Sequence, residues 1–206
     1  MNFGFQYTIP ARIAWFVQEL PSFIIPVYYA IGCQSIAGGV VLAAFLIHYF
    51  NRQGDVRLSV PVKIWKWNSV VHLSLRGRVL FLEWIHSASY PLFQLDMLYL
   101  GMALFATGMY INIQSDSILR NLRKPGEAGY KIPRGGMFEY VSGANFFGEI
   151  VEWFGYALMS GSLPAIAFAM FTASNIGPRA VHHHRWYHEK FPDYPKSRKA
   201  LIPFLL

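Results

Sequence analysis

Two apolar runs, Phe23 to Phe50 and Leu92 to Ile113, limit what this chain can fold into. Each reaches the roughly 20 mostly apolar residues that a helix needs to cross a bilayer. Two shorter runs, Phe146 to Met159 and Leu163 to Ile176, qualify once flanking residues are added, with Gly161 and Pro164 marking a turn between them. Only 14% of the 206 residues are charged, against about 25% in an ordinary soluble domain. The expected fold is therefore all-α, a multi-pass transmembrane helical bundle of about five to six spans, built as one membrane-embedded domain over residues 1–206. A soluble all-helical protein is the competing class.

The first ten residues lack the basic start, apolar core and small-residue site of a cleavable signal peptide. The single cysteine, Cys33, excludes an internal disulfide and a cysteine-based zinc site. No repeat or low-complexity tract occurs. The net charge of +7 is unevenly placed. Eleven of the 18 Lys and Arg fall in two polar stretches, residues 115–140 and 178–204. Short basic segments beside membrane spans stay on the cytoplasmic side. The two apolar runs between them then form a hairpin that leaves and returns. For Lys190, Lys196 and Lys199 a solvated or lipid-headgroup surface is the plainer reading.

GANFFGEIVEWFGYAL, residues 143–158, reads as a helix entering a membrane, yet it contains Asn145, Glu149 and Glu152. With Tyr156 they sit at i, i+4, i+7 and i+11 and share one helix face. Asn112, Asp116, Leu119 and Arg123 repeat that spacing at the end of the preceding apolar run, and Arg179, His183 and Tyr187 follow the last one at i, i+4 and i+8. Ionisable residues in membrane helices are costly and usually face a bundle interior or a wet cavity. One such stripe is explained equally well by structural pairing, for instance of Glu149 with Arg179. Three stripes at one boundary favour a shared polar cavity.

The groups in these stripes suit a nucleotide. Arg123, Arg179 and His183 fit phosphates. Asp116, Glu149 and Glu152 accept hydrogen bonds from ribose hydroxyls or an amide. Tyr130, Trp153 and Tyr187 offer ring faces. No G-x-G-x-x-G follows a strand and no P-loop occurs, so side chains of a helical bundle would have to hold the ligand. His184 and His188, in HHHRWYH, have a metal-ligand spacing at i, i+4. The other histidines, His48, His72 and His86, stand alone, so no metal site is expected, and no nucleic-acid partner either. Near the N-terminus, Glu19 lies inside an apolar stretch and Tyr49 ends the following run. A buried carboxylic acid stays protonated and can donate, and with a phenol it could grip a ketone oxygen. Snorkelling of Glu19 to the surface fits the spacing equally well.

Three stretches carry a family resemblance: PARIAWFVQELPSF, GMYINIQSDSILRNLRKPGEAGYKIPRGGMFEYVSGANFFGEIVEWFGYAL and RAVHHHRWYHEKFPDYPKSRKALIPF. They closely resemble steroid 5α-reductases (3-oxo-5α-steroid 4-dehydrogenases) over about 11–52 and 100–206, roughly seven-tenths of the chain. The resemblance implies a bundle of about seven spans in the endoplasmic reticulum membrane, in contact with membrane lipid, its cofactor site toward the cytosol. It implies reduction of the 4,5 double bond of 3-oxo-Δ4 steroids with NADPH. It implies that Glu19 and Tyr49 hydrogen-bond the steroid 3-keto group. The implied cofactor residues are Asn112, Asp116, Arg123, Tyr130, Asn145 and Glu149, continuing with Glu152, Trp153, Arg179, His183 and Tyr187. Arg198, in YPKSRK, matches a further position tied to cofactor affinity.

The resemblance has two departures. MNFGFQYTI stands where the family carries a further membrane helix and a Gly/Tyr motif. Residues 53–99 do not follow the family pattern, and Asp55, Lys63, Lys66, Arg76, Arg78 and Glu83 interrupt the helix expected there. The competing functions are a related membrane sterol reductase or an isoprenylcysteine methyltransferase-like enzyme, and an inactive variant of the 5α-reductase. The QELPS, N-I-x-S-D and GANFFGEI motifs favour the 5α-reductase.

Overall fold

Capping signals and close glycine contacts shape the helices that position the polar stripes. The computed structural model describes residues 20, 24–28, 30–33, 35–56, 95–123, 127 and 129–206. Its longer helices are α1, Ile36–Val56; α2, Leu95–Asn121; α3, Ala144–Ser160; and α4, Leu163–Lys190. A 3-10 turn at Gly136–Glu139 precedes α3. Among the described residues there is no strand, only an isolated parallel bridge between Val141 and Lys199. The all-α expectation therefore holds. Also among the described residues, no helix is long and apolar enough to cross a membrane by its mean hydropathy. The physical reason is visible in two helices: α3 has 17 residues, and in α2 the apolar run contains Asp96 and Asn112 and is followed by Asp116.

The chain divides into two compact units, Met1–Pro91 and Leu92–Leu206. In the first, the apolar run 23–50 is not one helix. Helical residues at 24–28 and 30–31 give way to a turn at Gly32, and Ser35 then opens α1. The Ser35 hydroxyl accepts from the Gly38 N–H at 3.4 Å, which satisfies one of the free donors at a helix start. Tyr49 is 1% exposed in α1, its ring 4.6 Å from that of Phe45 and 5.0 Å from that of His48. Glu19 and residues 57–94 lie outside the described residues.

In the second unit, α2 and α3 run with their backbones in contact along a seam of glycines. A Cβ placed on Gly148 would sit 2.6 Å from the Asn112 backbone nitrogen, and one on Gly108 would collide with the backbone of Glu152. Gly101 and Gly155 meet the facing helix in the same way. Small residues permit this approach, as is common where helices pack without a large apolar interface. At one end of the seam the Asn112 side-chain amide donates to the Asn145 carbonyl at 3.0 Å.

The turn between α3 and α4 is short and well encoded. Gly161 ends α3 with φ 61°, donating to the Ala157 carbonyl, as a helix C-cap glycine does. Ser162 then caps α4, its hydroxyl accepting from Ala165 at 3.2 Å, with Pro164 in the first turn. The last apolar run and the basic segment after it form one helix: α4 continues through Pro178 for 28 residues. Pro178 has no N–H to offer the preceding turn, and it falls where α4 changes from apolar to polar sequence.

Candidate nucleotide-binding cleft

The polar half of α4, the end of α2 and the start of α3 enclose a cleft of about 560 Å³. Arg123 and Tyr130 enter it from the segment after α2, Asn145 from the first turn of α3, and His183 and Tyr187 from α4. These are five of the implied cofactor residues, one or more from each stripe. Leu119, the apolar member of the α2 stripe, lines the same cleft. The convergence follows from helix geometry, since positions 183 and 187 share a face and Asn145 sits where α3 begins to pack on α2.

The other implied residues are placed differently. Asn112, Asp116, Glu149, Glu152, Trp153, Arg179 and Arg198 are not among the lining residues. Asn112 is held in the α2–α3 seam, and Glu152 is 1% exposed beside Gly108. Trp153 is also 1% exposed and packs edge-on against Phe168 of α4, ring centres 4.6 Å apart. Asp116 and Glu149 are half-buried on their helices, while Arg179 is exposed on α4. Arg198 is 1% exposed, donates to the Pro133 carbonyl at 2.9 Å and faces Glu139 at 3.5 Å. Its position ties the C-terminal tail to the segment leading into the 3-10 turn.

Lys131, His182 and Trp186 also line the cleft, although the stripe pattern does not mark them. The last two are within reach of that pattern, because His182, Trp186 and Tyr187 flank His183 on adjoining faces of one helix. Trp186 meets Tyr130 edge-on at 4.7 Å, and the Arg123 guanidinium lies 5.7 Å from the centre of the Tyr130 ring. Lys131 pairs with Glu127 four residues away. The cleft thus offers cations, an amide and aromatic faces within one space.

Burial, then the neighbouring positive charges of His182 and Arg179, hold the His183 imidazole below its ordinary titration range. Burial, with Tyr194 adding to it, pushes the Tyr187 phenol up, against the lowering influence of Arg198 and Arg123. Both groups are thus neutral near pH 7. Among the described residues, no three His, Cys, Asp or Glu side chains gather as a metal site would require. The rings of His184 and His188 instead pack edge-on at 4.5 Å.

The family model described as 3-oxo-5-alpha-steroid 4-dehydrogenase matches residues 58–206. The chain belongs to the 3-oxo-5-alpha-steroid 4-dehydrogenase family. It is 49% identical over 214 aligned positions to 3-oxo-5-alpha-steroid 4-dehydrogenase 1 of Rattus norvegicus, covering 96% of this chain and 81% of the relative. It is 50% identical over 208 positions to 3-oxo-5-alpha-steroid 4-dehydrogenase 2 of Sus scrofa, covering 96% and 82%. The corresponding protein 2 of Homo sapiens is 49% identical over 211 positions, covering 96% and 82%. Identity to the relatives numbered 1 and 2 is thus nearly equal. The family match includes residues 58–99 of the segment 53–99 whose sequence reads as atypical.

Proposed function

We propose that this chain is an oxidoreductase that reduces the 4,5 double bond of 3-oxo-Δ4 steroids, with NADPH held in the 560 Å³ cleft. Family membership supports the reaction. The observation that carries the cofactor site is the meeting of Arg123, Tyr130, Asn145, His183 and Tyr187 in one space. The donor set fits a dinucleotide phosphate: Arg123 and Lys131 supply charge-assisted donors, and Tyr130 and Trp186 supply ring faces. The volume falls in the range of roughly 300–1,000 Å³ usual for small-molecule clefts. When bound, NADPH would supply hydride to the β-carbon of the enone, and C4 would take a proton from solvent.

The chain's own residues then have separable tasks. Arg123 neutralises phosphate charge, Asn145 orients the ligand, and the rings of the cleft exclude water. Tyr49, buried in α1, is proposed to donate to the steroid 3-oxygen together with Glu19, stabilising negative charge that develops there.

The proposal includes a multi-pass bundle in the endoplasmic reticulum membrane, with the cleft facing the cytosol. The exposed apolar side chains of α2 and α4 support it: Tyr99 is 64% exposed, Leu100 52%, Leu163 81% and Met170 53%. Apolar faces of this extent need a partner, and lipid supplies one. The cations beside the cleft favour the cytosolic side.

The test is turnover of a 3-oxo-Δ4 steroid by the chain in membranes, with NADPH and NADH compared. A 5α-reduced product formed with NADPH is expected. Equal use of the two cofactors would refute the NADPH assignment, and no product with NADPH bound would refute the catalytic one.

A further inference from the structure

The C-terminal tail contributes no lining residue to the cleft, yet two lining residues rest on it. Ser142, 5% exposed, has its hydroxyl 2.7 Å from the Tyr194 hydroxyl and 2.6 Å from His184 Nδ1. Tyr187, on the α4 side of the cleft, stacks its ring on Tyr194 at 5.2 Å with 15° between the planes. Tyr194 itself is 3% exposed, and the Arg198 guanidinium sits 5.4 Å from its ring centre. The tail is also bound through backbone. Ser142 N–H donates to the Lys199 carbonyl at 2.8 Å, Gly143 N–H to the Ala200 carbonyl at 3.0 Å, and Lys199 N–H to the Tyr140 carbonyl at 2.9 Å.

We propose that Tyr194 and His184 are positioning residues, linked through the Ser142 hydroxyl, which set two walls of the cofactor cleft from outside it. The proposal rests on the reading of the cleft as the NADPH site. A serine hydroxyl has one proton to give and two lone pairs. In either tautomer of a neutral His184, the three groups can form one unbroken chain of donors and acceptors, running from Tyr194 to His184 or the reverse. Burial and the nearby charges of His188 and Lys199 keep His184 below its ordinary range, which favours the neutral ring. All three groups are then satisfied in a site where an unpaired polar atom would be costly. Because Ser142 precedes α3 and Tyr187 belongs to α4, the chain fixes the separation of two elements that converge on one ligand. A small misplacement of such walls weakens binding without touching the reacting atoms.

The role differs from plain structural support in what it should move. Tyr194→Phe keeps the ring that stacks on Tyr187 and removes only the hydroxyl. It should weaken NADPH binding about three- to tenfold, the range expected for a lost neutral hydrogen bond, while turnover at saturating NADPH changes less than twofold. His184→Leu should weaken binding to a similar degree. His184→Asn, which keeps polar atoms near the Nδ1 position, should recover most of that loss. The double variant Tyr194→Phe with His184→Leu should be little worse than either alone, because the two act through one hydroxyl.

Binding is measured by NADPH fluorescence titration in detergent, and turnover with a saturating 3-oxo-Δ4 steroid. Unchanged NADPH affinity in Tyr194→Phe overturns the proposal, as do strictly additive losses in the double variant or failure of His184→Asn to improve on His184→Leu. If the unmutated chain binds no NADPH, the cleft reading fails instead. The hydroxyl chain is then judged in the ligand-free protein by hydrogen exchange at 140–143. Loss of protection in Tyr194→Phe supports the link, and unchanged protection refutes it.

Discussion

The α2–α3 seam and the cleft begin from the same sequence pattern and end as opposite environments. Asn112 and Glu152 belong to the same polar rows as Arg123 and Asn145. In the seam, Gly108 and Gly148 let the two backbones touch, the Asn112 side chain joins the helix–helix contact, and Glu152 is buried where its backbone meets Gly108. Past Asn121 the helix ends, and residues 129–143 pass between α2 and α3 before the polar half of α4 closes the other side. There the same kind of row faces open space. A polar stripe therefore identifies a face, while the bulk of the residues opposite decides whether that face becomes a contact or a cavity.

The largest expected effect breaks the seam. Gly108→Leu places a side chain against the Glu152 backbone. A backbone neighbour cannot swing aside, so the change should cost about 3 kcal/mol, at the upper end of overpacking penalties. Gly39→Ala in α1 has nothing within 4 Å of the added carbon and should instead stabilise by about 0.5–1 kcal/mol through helix propensity. Thermal unfolding in detergent reads both, and similar midpoints for the two variants would contradict the close approach of α2 and α3.

A second, smaller effect separates the cleft from its surroundings. Arg123→Ala should weaken NADPH binding at least about tenfold, consistent with about 1.5–3 kcal/mol for a hydrogen bond to a charged group. Arg179→Ala, exposed and outside the lining, should weaken it less than threefold. Equal losses would show that the bound cofactor extends along α4 beyond the cleft.

Trp186→Ala should reduce NADPH affinity about three- to tenfold, as expected when an aromatic contact worth about 0.5–1.5 kcal/mol is lost. Trp186→Phe should recover most of it. A cofactor that ignores both changes does not use that wall.

The smallest effect is a pH dependence outside the cleft. The Gly135 N–H donates to Glu139 at 2.6 Å, and this bond, opposed by burial and assisted by Arg198 and Arg134, holds the Glu139 carboxyl below its usual value of 4.5. Its folded value is lowered, so its stabilising contribution is present above pH 4.5 and is lost as pH falls through the folded value. Glu139→Gln should therefore lower the unfolding midpoint slightly at pH 7 and leave it unchanged well below pH 4. An equal shift at both pH values would assign the effect to shape and not to charge.

Much of the cleft is legible in the sequence alone. The spacing of Asn145, of Leu119 with Arg123, and of His183 with Tyr187 puts each on a face near one boundary, and those faces do meet. The Gly161–Ser162–Pro164 turn is equally plain, because each residue there has one conformational or capping job. Lys131 is not legible as a lining residue, since a lone lysine in a basic segment has no periodic partner that marks it, whereas His182 and Trp186, four residues apart beside His183, are within reach of the pattern. Arg198 is marked by the resemblance and not by spacing, and only the structure places its guanidinium, buried against Pro133 and Glu139 and outside the cleft lining.

By itself, the sequence determined the helical class, the polar faces, the turn between α3 and α4 and membership in the family, because these depend on residue type and on spacing along one element. Only the tertiary structure decided which polar residues share space. It buried Glu152, packed Trp153 against Phe168, left Arg179 on the outside, and placed Tyr194 behind both Ser142 and Tyr187. Contacts between elements depend on approach distance and on the chain that passes between them, and neither is written in the periodicity of a single helix.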